Sequence, residues 1–330
     1  MRIFKWIAGL ALAGLLLARP GEASAGALAA AERWRVAVAP AIFPFLALLP
    51  LLTGDEAAAV YRRLLGGWMD RLFGLPGAAA PALVIGMIAG SPAGTMAARR
   101  VAGRSGMTRG QLHRLAAALP GFSPAFLLGG VGAGLLGSAA QGAVLLRAQV
   151  LTQLTLLALL RRAWRNRSEP VPPPGEAEES RPVRAAALAV VGICGWMALF
   201  GALAGAARSL AGPAADALLC LMDVPSGAGT VCALPLPGEA RLVLLAALCG
   251  SGGGCVGMQN LSALKGCGMR PAEYFAARLP AAALCAGFTA LQLRLGDLPP
   301  LPLRPPLPVS ALAAAALACP VLVKMRKPNF

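Results

Sequence analysis

The chain has 330 residues, of which 57% are hydrophobic and 13% are charged. Soluble domains carry roughly 25% charged residues, so this composition excludes an ordinary soluble protein and indicates a membrane protein with several spans. The net charge of +16 does not indicate nucleic-acid binding, because the basic residues lie between apolar runs, where cytoplasmic loops of membrane proteins carry them.

Cysteine and histidine usage gives no sign of a metal site. Most of the eight cysteines fall in apolar runs, where we expect them to be small packing residues. They form no Cys-x-x-Cys pair, and His113 is the only histidine, so neither a metal nor a cofactor is predicted.

The chain begins with Arg2 and Lys5, followed by an apolar run over residues 7–18. This run is either an uncleaved membrane anchor or a signal peptide, and in both cases the basic residues place the N-terminus in the cytoplasm. A second span is predicted over residues 34–52, kinked or unwound by its prolines. Residues 54–73 carry apolar residues at three- and four-residue spacing among charged ones, which predicts an amphipathic helix at the membrane surface.

The next two apolar segments are interrupted. Residues 81–98 begin as a helix that breaks at Gly90-Ser91-Pro92-Ala93-Gly94. Glycine weakens a helix, proline removes a donor, and each arm is too short for a bilayer core of about 30 Å, so a re-entrant hairpin is predicted. Residues 112–136 break at Ser123-Pro124. The span over residues 139–160 should turn its polar side chains towards protein. These are Gln141, Arg147, Gln149 and Gln153.

The second half of the chain carries a similar pair of breaks. Residues 161–184 are hydrophilic and are predicted to form a disordered cytoplasmic linker. After a span over residues 185–207, one segment breaks at Asp223-Val224-Pro225-Ser226-Gly227 and the next breaks at the glycine-rich residues 250–254. Further spans are predicted over residues 273–295 and 309–323, with a proline-rich loop between them.

The basic loops predict the topology. With these loops in the cytoplasm, both termini are cytoplasmic, the first hairpin opens from the inside and the second opens from the outside. The predicted fold is therefore an all-α polytopic membrane protein with two inverted-topology halves that contain broken, re-entrant helices, an architecture of secondary transporters. The predicted divisions are a membrane anchor or signal-like segment at 1–25, a first half at 26–160, the linker at 161–184 and a second half at 185–330.

The breaks also supply the candidate binding residues. Asp223 is the one acid inside an apolar segment, and it could bind a polar ligand, a coupling cation or a proton, or else cap a helix start. Hydroxyl and amide side chains at the other breaks could bind a small polar solute, or could satisfy the local backbone and join helices. The predicted binding residues are Gly90, Ser91, Pro92, Gly94, Ser123, Pro124, Asp223, Ser226, Gly227, Gln259 and Asn260.

Catalytic motifs are not recognisable in the sequence. A serine-hydrolase pair of Ser123 and His113 would lack an orienting acid. The glycine-rich residues 250–254 are not followed by Gly-Lys-Ser/Thr, so they do not indicate a phosphate loop. An enzyme is therefore not predicted.

Four stretches carry a family resemblance. Residues 39–45, Ala-Pro-Ala-Ile-Phe-Pro-Phe, are close to Pro-Ser-Leu-Phe-Pro-Phe, and Gly-Ser-Pro-Ala-Gly at 90–94 is close to Gly-Tyr-Pro-Val-Gly. Residues 121–126, Gly-Phe-Ser-Pro-Ala-Phe, are close to Asn-Ala-Ser-Pro-Leu-Phe, and residues 252–259 are close to Gly-Gly-Leu-Ser-Val-x-x-Gln. With these stretches, the chain resembles sporulation integral membrane proteins of the YlbJ type. Those proteins contain a nucleoside recognition or Gate domain, which is related to gate regions of nucleoside and ferrous-iron transporters.

The chain departs from that family at three positions. Asp223 stands where the family tends to have glutamate, Ser91 replaces an aromatic residue, and Arg147 lies where the family often has His-Tyr. If these positions touch a ligand, the ligand of this chain differs from that of its relatives.

The resemblance implies an inner-membrane protein of spore formation, particularly of cortex assembly. We expect a secondary transporter or binder of a small polar, nucleoside-like solute, with a coupling cation or proton and a homo-oligomer as further partners beside the lipid bilayer. The alternative is a non-transporting membrane scaffold that recruits spore-envelope assembly proteins through the 161–184 linker.

Overall fold

The computed structural model describes residues 2–175 and 180–296, and within these ranges the chain is an all-α polytopic membrane protein. Five helical stretches are long and apolar enough to cross a membrane: Pro20–Leu52, Ala139–Arg162, Pro182–Ala211, Gly238–Ala263 and Pro271–Leu295. Asp55–Phe73 and Gly77–Ala89 meet at an angle of 108° and make a sixth span if the bent pair counts as one. The predicted span at 309–323 and the loop before it lie outside the described residues.

The helices follow each other closely along the chain. In the first half they are α1 (Arg2–Ala18), α2 (Pro20–Leu52), α3 (Asp55–Phe73), α4 (Ala80–Ala89), α5 (Ala93–Arg104), α6 (Arg109–Ala118), the π-helical α7 (Ala125–Leu135) and α8 (Ala139–Leu159). In the second half they are α9 (Pro182–Ala211), α10 (Pro213–Met222), α11 (Val224–Ala233), α12 (Gly238–Ser251), α13 (Gly253–Ala263) and α14 (Pro271–Leu295).

Helix α2 includes a π-helical turn at Trp34–Val38 and stays helical through Pro44 and Pro50. Of the two predicted outcomes for this span, kinked or unwound, the structure therefore excludes unwinding. A backbone inside a membrane keeps its hydrogen bonds within the helix where it can, which opposes unwinding at a proline. Residues 20–25 belong to this helix and not to α1.

Helices α4 and α5 form the predicted hairpin, with its tip at Gly90-Ser91-Pro92. Gly90 has a φ of +71°, a left-handed conformation that ends α4 and that glycine adopts without strain. The two arms touch through their backbones, because a Cβ added at Gly94 would lie 2.5 Å from the Cα of Gly86. The hairpin is closed by glycines facing each other.

The two halves repeat one order of elements. In the first half, the long helix α2 is followed, after the intervening α3, by the hairpin α4–α5, a helix broken between α6 and α7, and the long helix α8. In the second half, α9 is followed by the hairpin α10–α11, a helix broken at Gly252 between α12 and α13, and α14. The repeated order is what two related halves require, and their inverted orientation stays a prediction.

The prediction of a disordered linker is wrong for its described part after Ala163. The backbone N–H groups of Arg109 and Gly110 donate to the carbonyls of Glu169 (2.8 Å) and Arg167 (3.0 Å). Val171 donates to the carbonyl of Met107 at 2.9 Å and is buried. The first N–H groups of a helix lack partners within it, and linker carbonyls supply acceptors to those at the start of α6. Composition alone does not reveal such a partner.

We expect Gly94→Ala to lower the melting temperature of the purified protein in detergent. Its new Cβ would meet the backbone of Gly86, which cannot move aside as a flexible side chain would, so a cost of about 1–3 kcal/mol is expected. Gly67→Ala is the matched control, since nothing lies within 4 Å of a Cβ at that helical position. Equal melting temperatures for the two variants would contradict the close contact of the hairpin arms.

Candidate functional site

The tip of the first hairpin lies against the break between α6 and α7. The N–H of Ser91 donates to the carbonyl of Gly121 at 2.8 Å, and the N–H of Gly121 donates to Ser91 Oγ at 3.3 Å. A Cβ at Gly90 would lie 2.7 Å from the backbone nitrogen of Ser123, so the approach needs glycine. Each break of this half therefore supplies hydrogen-bond partners to backbone groups of the other break.

Ser123 and Pro124 directly precede α7. Ser123 Oγ accepts a hydrogen bond from the N–H of Phe126 at 3.3 Å, which is the geometry of a helix cap. The alternative that this serine satisfies local backbone is thus the one that the contacts support.

Two glutamines of α8 complete the first break. Gln149 Oε1 accepts from the N–H of Phe122 at 2.7 Å while its Nε2 donates to the carbonyl of the same residue at 2.8 Å. Gln153 Nε2 donates to the carbonyl of Leu119 at 2.6 Å. The two side chains are only 3% and 1% exposed. The prediction that they face protein is confirmed.

Asp223 forms the turn of the second hairpin, where it caps α11. Its Oδ2 accepts from the N–H and the Oγ of Ser226, at 3.3 and 2.5 Å, and lies 3.7 Å from Nη2 of Arg33. The carboxylate therefore has both a local cap and an ionic partner. Gly227 packs against Cys220 on the other arm of the hairpin.

The second hairpin tip meets the second break, as the first tip meets the first. Gly253 has a φ of +68°, and a Cβ on it would lie 2.9 Å from the side chain of Val224. Each half thus places a hairpin turn against the glycine-containing break of its own broken helix.

Helix α13 connects the two hairpin tips. At its start, Gly253 touches the turn beside Asp223. Seven residues further, about 10 Å along the axis, Asn260 is fully buried and its Nδ2 donates to Ser91 Oγ at 3.4 Å and to Oη of Tyr274 at 2.9 Å. Gln259 is also buried, with Nε2 3.4 Å from the Sγ of Cys255.

The predicted binding residues therefore fall into two groups. Those near the start of α13 are Asp223, Ser226 and Gly227. Those on or near the first hairpin tip are Gly90, Ser91, Pro92, Gly94, Ser123, Pro124, Gln259 and Asn260. The sequence indicated the breaks but not this division.

Sequence reasoning missed Arg278. This side chain of α14 is 5% exposed and reaches the breaks of both halves. Its Nη1 donates to the carbonyl of Ala117 at 2.8 Å, and its Nη2 donates to those of Pro120 (3.2 Å) and Gly250. Its Nε lies 3.4 Å from the carbonyl of Ser251. The available signal was a cation inside a predicted span, which is a functional candidate by default.

A cavity of about 370 Å³ lies between α2, the first hairpin, α9 and α13. Pro92 and Gln259 of the predicted set line it, whereas Ser91, Ser123 and Asp223 do not. Its wall combines the apolar Leu46, Leu49 and Trp196 with the cationic Arg99, Arg100 and Lys265.

On the side predicted to be cytoplasmic, residues of other loops and helices contact the linker. Arg167 donates hydrogen bonds from Nη2 to Oε1 of Glu273 (2.5 Å) and from Nη1 to Nδ1 of His113 (3.0 Å). His113 Nε2 in turn donates to the carbonyl of Cys267 at 2.8 Å. The linker, the start of α6 and the start of α14 therefore lie on one side. Among the described residues, no cluster of three or more His, Cys, Asp or Glu side chains could hold a metal ion.

We expect Gln149→Leu to destabilise the protein by about 1–3 kcal/mol for each backbone group of Phe122 that it leaves unsatisfied. Thermal unfolding in detergent measures the loss. Gln141→Leu, near the start of the same helix, is the control and should change the melting temperature little. If the two variants have the same melting temperature, Gln149 does not stabilise the break at Phe122.

A known relative supports the membrane assignment. The chain is similar to the sporulation integral membrane protein YlbJ of Bacillus subtilis (strain 168), with 28% identity over 160 residues. The match covers 48% of this chain and 39% of the relative's length. No family profile matches the chain, and no solved structure matches it. The chain is thus a multi-pass membrane protein with similarity to YlbJ, and a Gate domain stays a prediction.

Proposed function

We propose that the chain is an inner-membrane protein of spore formation that binds and transports a small polar solute, with both termini in the cytoplasm. The role in spore formation rests on the similarity to YlbJ. The observation that carries transport is the meeting of broken helices from both halves, through Ser91, Asn260 and Arg278. Secondary transporters bind their solutes at such breaks.

The solute site is proposed to be the cavity beside Gln259. Its volume of about 370 Å³ falls within the roughly 300–1,000 Å³ of small-molecule pockets. The amide of Gln259 can both donate and accept, and apolar walls with a few polar groups suit a polar ring such as a nucleoside base. The cations of the wall favour an anionic group on the solute.

The walls of the cavity support an alternating-access motion. Helices α2 and α9 pack against each other over much of their length, and the first hairpin and α13 form the opposite wall. A seam between two packed groups can open by rocking one group against the other, which is the movement proposed for this architecture.

Asp223 is proposed as the coupling residue. Arg33 lies 3.7 Å from its carboxylate, so a coupling cation or proton that binds there would compete with this ion pair. Neutralising the carboxylate would remove the attraction to Arg33, next to the turn that Asp223 caps.

An enzyme is not proposed. Ser123 caps α7, and His113 binds the carbonyl of Cys267. Neither contact places the two side chains as a nucleophile and its base.

A scaffold that recruits proteins through the linker is the competing function. Backbone groups of residues 167–171 already form hydrogen bonds with residues 107–110 of the same chain. The side chain of Arg167 binds His113 and Glu273. These contacts leave that part of the linker less suited to capture a partner, which favours transport.

We expect one class of solute to raise the melting temperature of the detergent-solubilised protein in a panel of nucleosides, nucleotides, dicarboxylates and sugar-linked phosphates. A ligand of the native state at 100 times its dissociation constant stabilises by about 2.7 kcal/mol. Gln259→Leu should abolish the shift because it removes the amide from the cavity, and Gln141→Leu should keep it.

Asp223→Asn separates binding from coupling. It should keep the thermal shift but lose uptake that is driven by a cation or proton gradient in liposomes. If no compound of the panel shifts the wild-type protein, transport of these solutes is wrong and the scaffold becomes the better proposal; deletion of residues 172–180 would then be tested for loss of sporulation.

A further inference from the structure

The four carbonyls around Arg278 come from the ends of two half-helices. Ala117 lies in the last turn of α6 and Pro120 two residues after that helix ends, while Gly250 and Ser251 are the last two residues of α12. The last carbonyls of a helix lack partners within it and carry partial negative charge. In transporters with broken helices, such carbonyls coordinate the coupling cation.

In this protein a side chain occupies that position. Arg278 is 5% exposed, and its guanidinium makes four hydrogen bonds, all to these carbonyls. In the described part of the chain, no carboxylate contacts it. A buried charge is costly unless it is compensated, and here the compensation comes from two helix ends.

We propose that Arg278 is a tethered cation that fills the carbonyl site at the meeting of the two broken helices. It is a positioning residue, since it fixes both helix ends at once and does not reach the cavity. The inference rests on the proposed function and deepens it: because Arg278 occupies these carbonyls, a mobile coupling cation must bind elsewhere in the protein.

The alternative at Arg278 is a space-filling role. The planar guanidinium would then matter for its volume, and any side chain of similar length would serve. A tethered cation differs in one respect that can be measured, since its removal creates a site for a cation from solution.

The experiment follows thermal unfolding of the full chain in detergent, in choline chloride, sodium chloride, potassium chloride and millimolar guanidinium chloride at constant ionic strength. We expect Arg278→Gln to melt at least about 5 °C below the wild type in choline chloride. It should regain about half of that loss in one or more of the other cations, whereas the wild type should not respond. Arg294→Gln, an exposed position on the same helix, is the control for general effects of salt and lost charge.

Arg278→Lys covers the case in which Arg278→Gln does not fold. Its ammonium keeps the charge, so it should fold and should not respond to added cations. If Arg278→Lys is as unstable as Arg278→Gln, or if Arg278→Gln responds to cations no more than Arg294→Gln, the tethered cation is overturned. These measurements need no solute, so their outcome is independent of whether the solute panel succeeds.

Discussion

A helix that breaks inside a membrane protein releases backbone groups that lipid cannot satisfy, and this constraint organises the whole molecule. The chain meets it with a different device at each break. The first hairpin tip and the α6–α7 break exchange hydrogen bonds through Ser91 and Gly121. Gln149 pairs with both backbone groups of Phe122. Arg278 donates to carbonyls at the α6–α7 break and at the end of α12. The packing of α8 and α14 follows from these contacts, since both helices carry the side chains that the breaks require.

The same constraint explains why the two hairpin turns are not equivalent. The first turn presents Ser91 to Asn260 in the other half and borders the cavity through Pro92. The second turn is closed by Asp223, which caps its own helix and pairs with Arg33. One tip therefore faces a space that a solute could enter, while the other holds the ion pair of Asp223 and Arg33. This division of binding and coupling is a proposal that the contacts support.

The breaks could be predicted from the sequence because glycine and proline act locally on φ and on hydrogen bonding. Gly90, Pro92 and Asp223 lie at the predicted interruptions for that reason. What could not be predicted is which side chain satisfies which break. Arg278 lies 161 residues from Ala117 in the sequence, and no local pattern links them. The packed linker was missed for a related reason, since its partners are the N–H groups at the start of α6. The two-group division of the site likewise depends on the length of α13, which only the fold reveals.

The position of Arg278 late in the chain has a consequence for biogenesis. Its partners Ala117 and Pro120 belong to the first half, while α14 is the last described helix. During synthesis, the first half therefore enters the membrane with the C-terminal carbonyls of α6 still without this partner. Arg278 reaches them only when α14 has been inserted, roughly 160 residues later. A chain that stops before α14 therefore lacks the guanidinium that these two carbonyls bind in the folded protein.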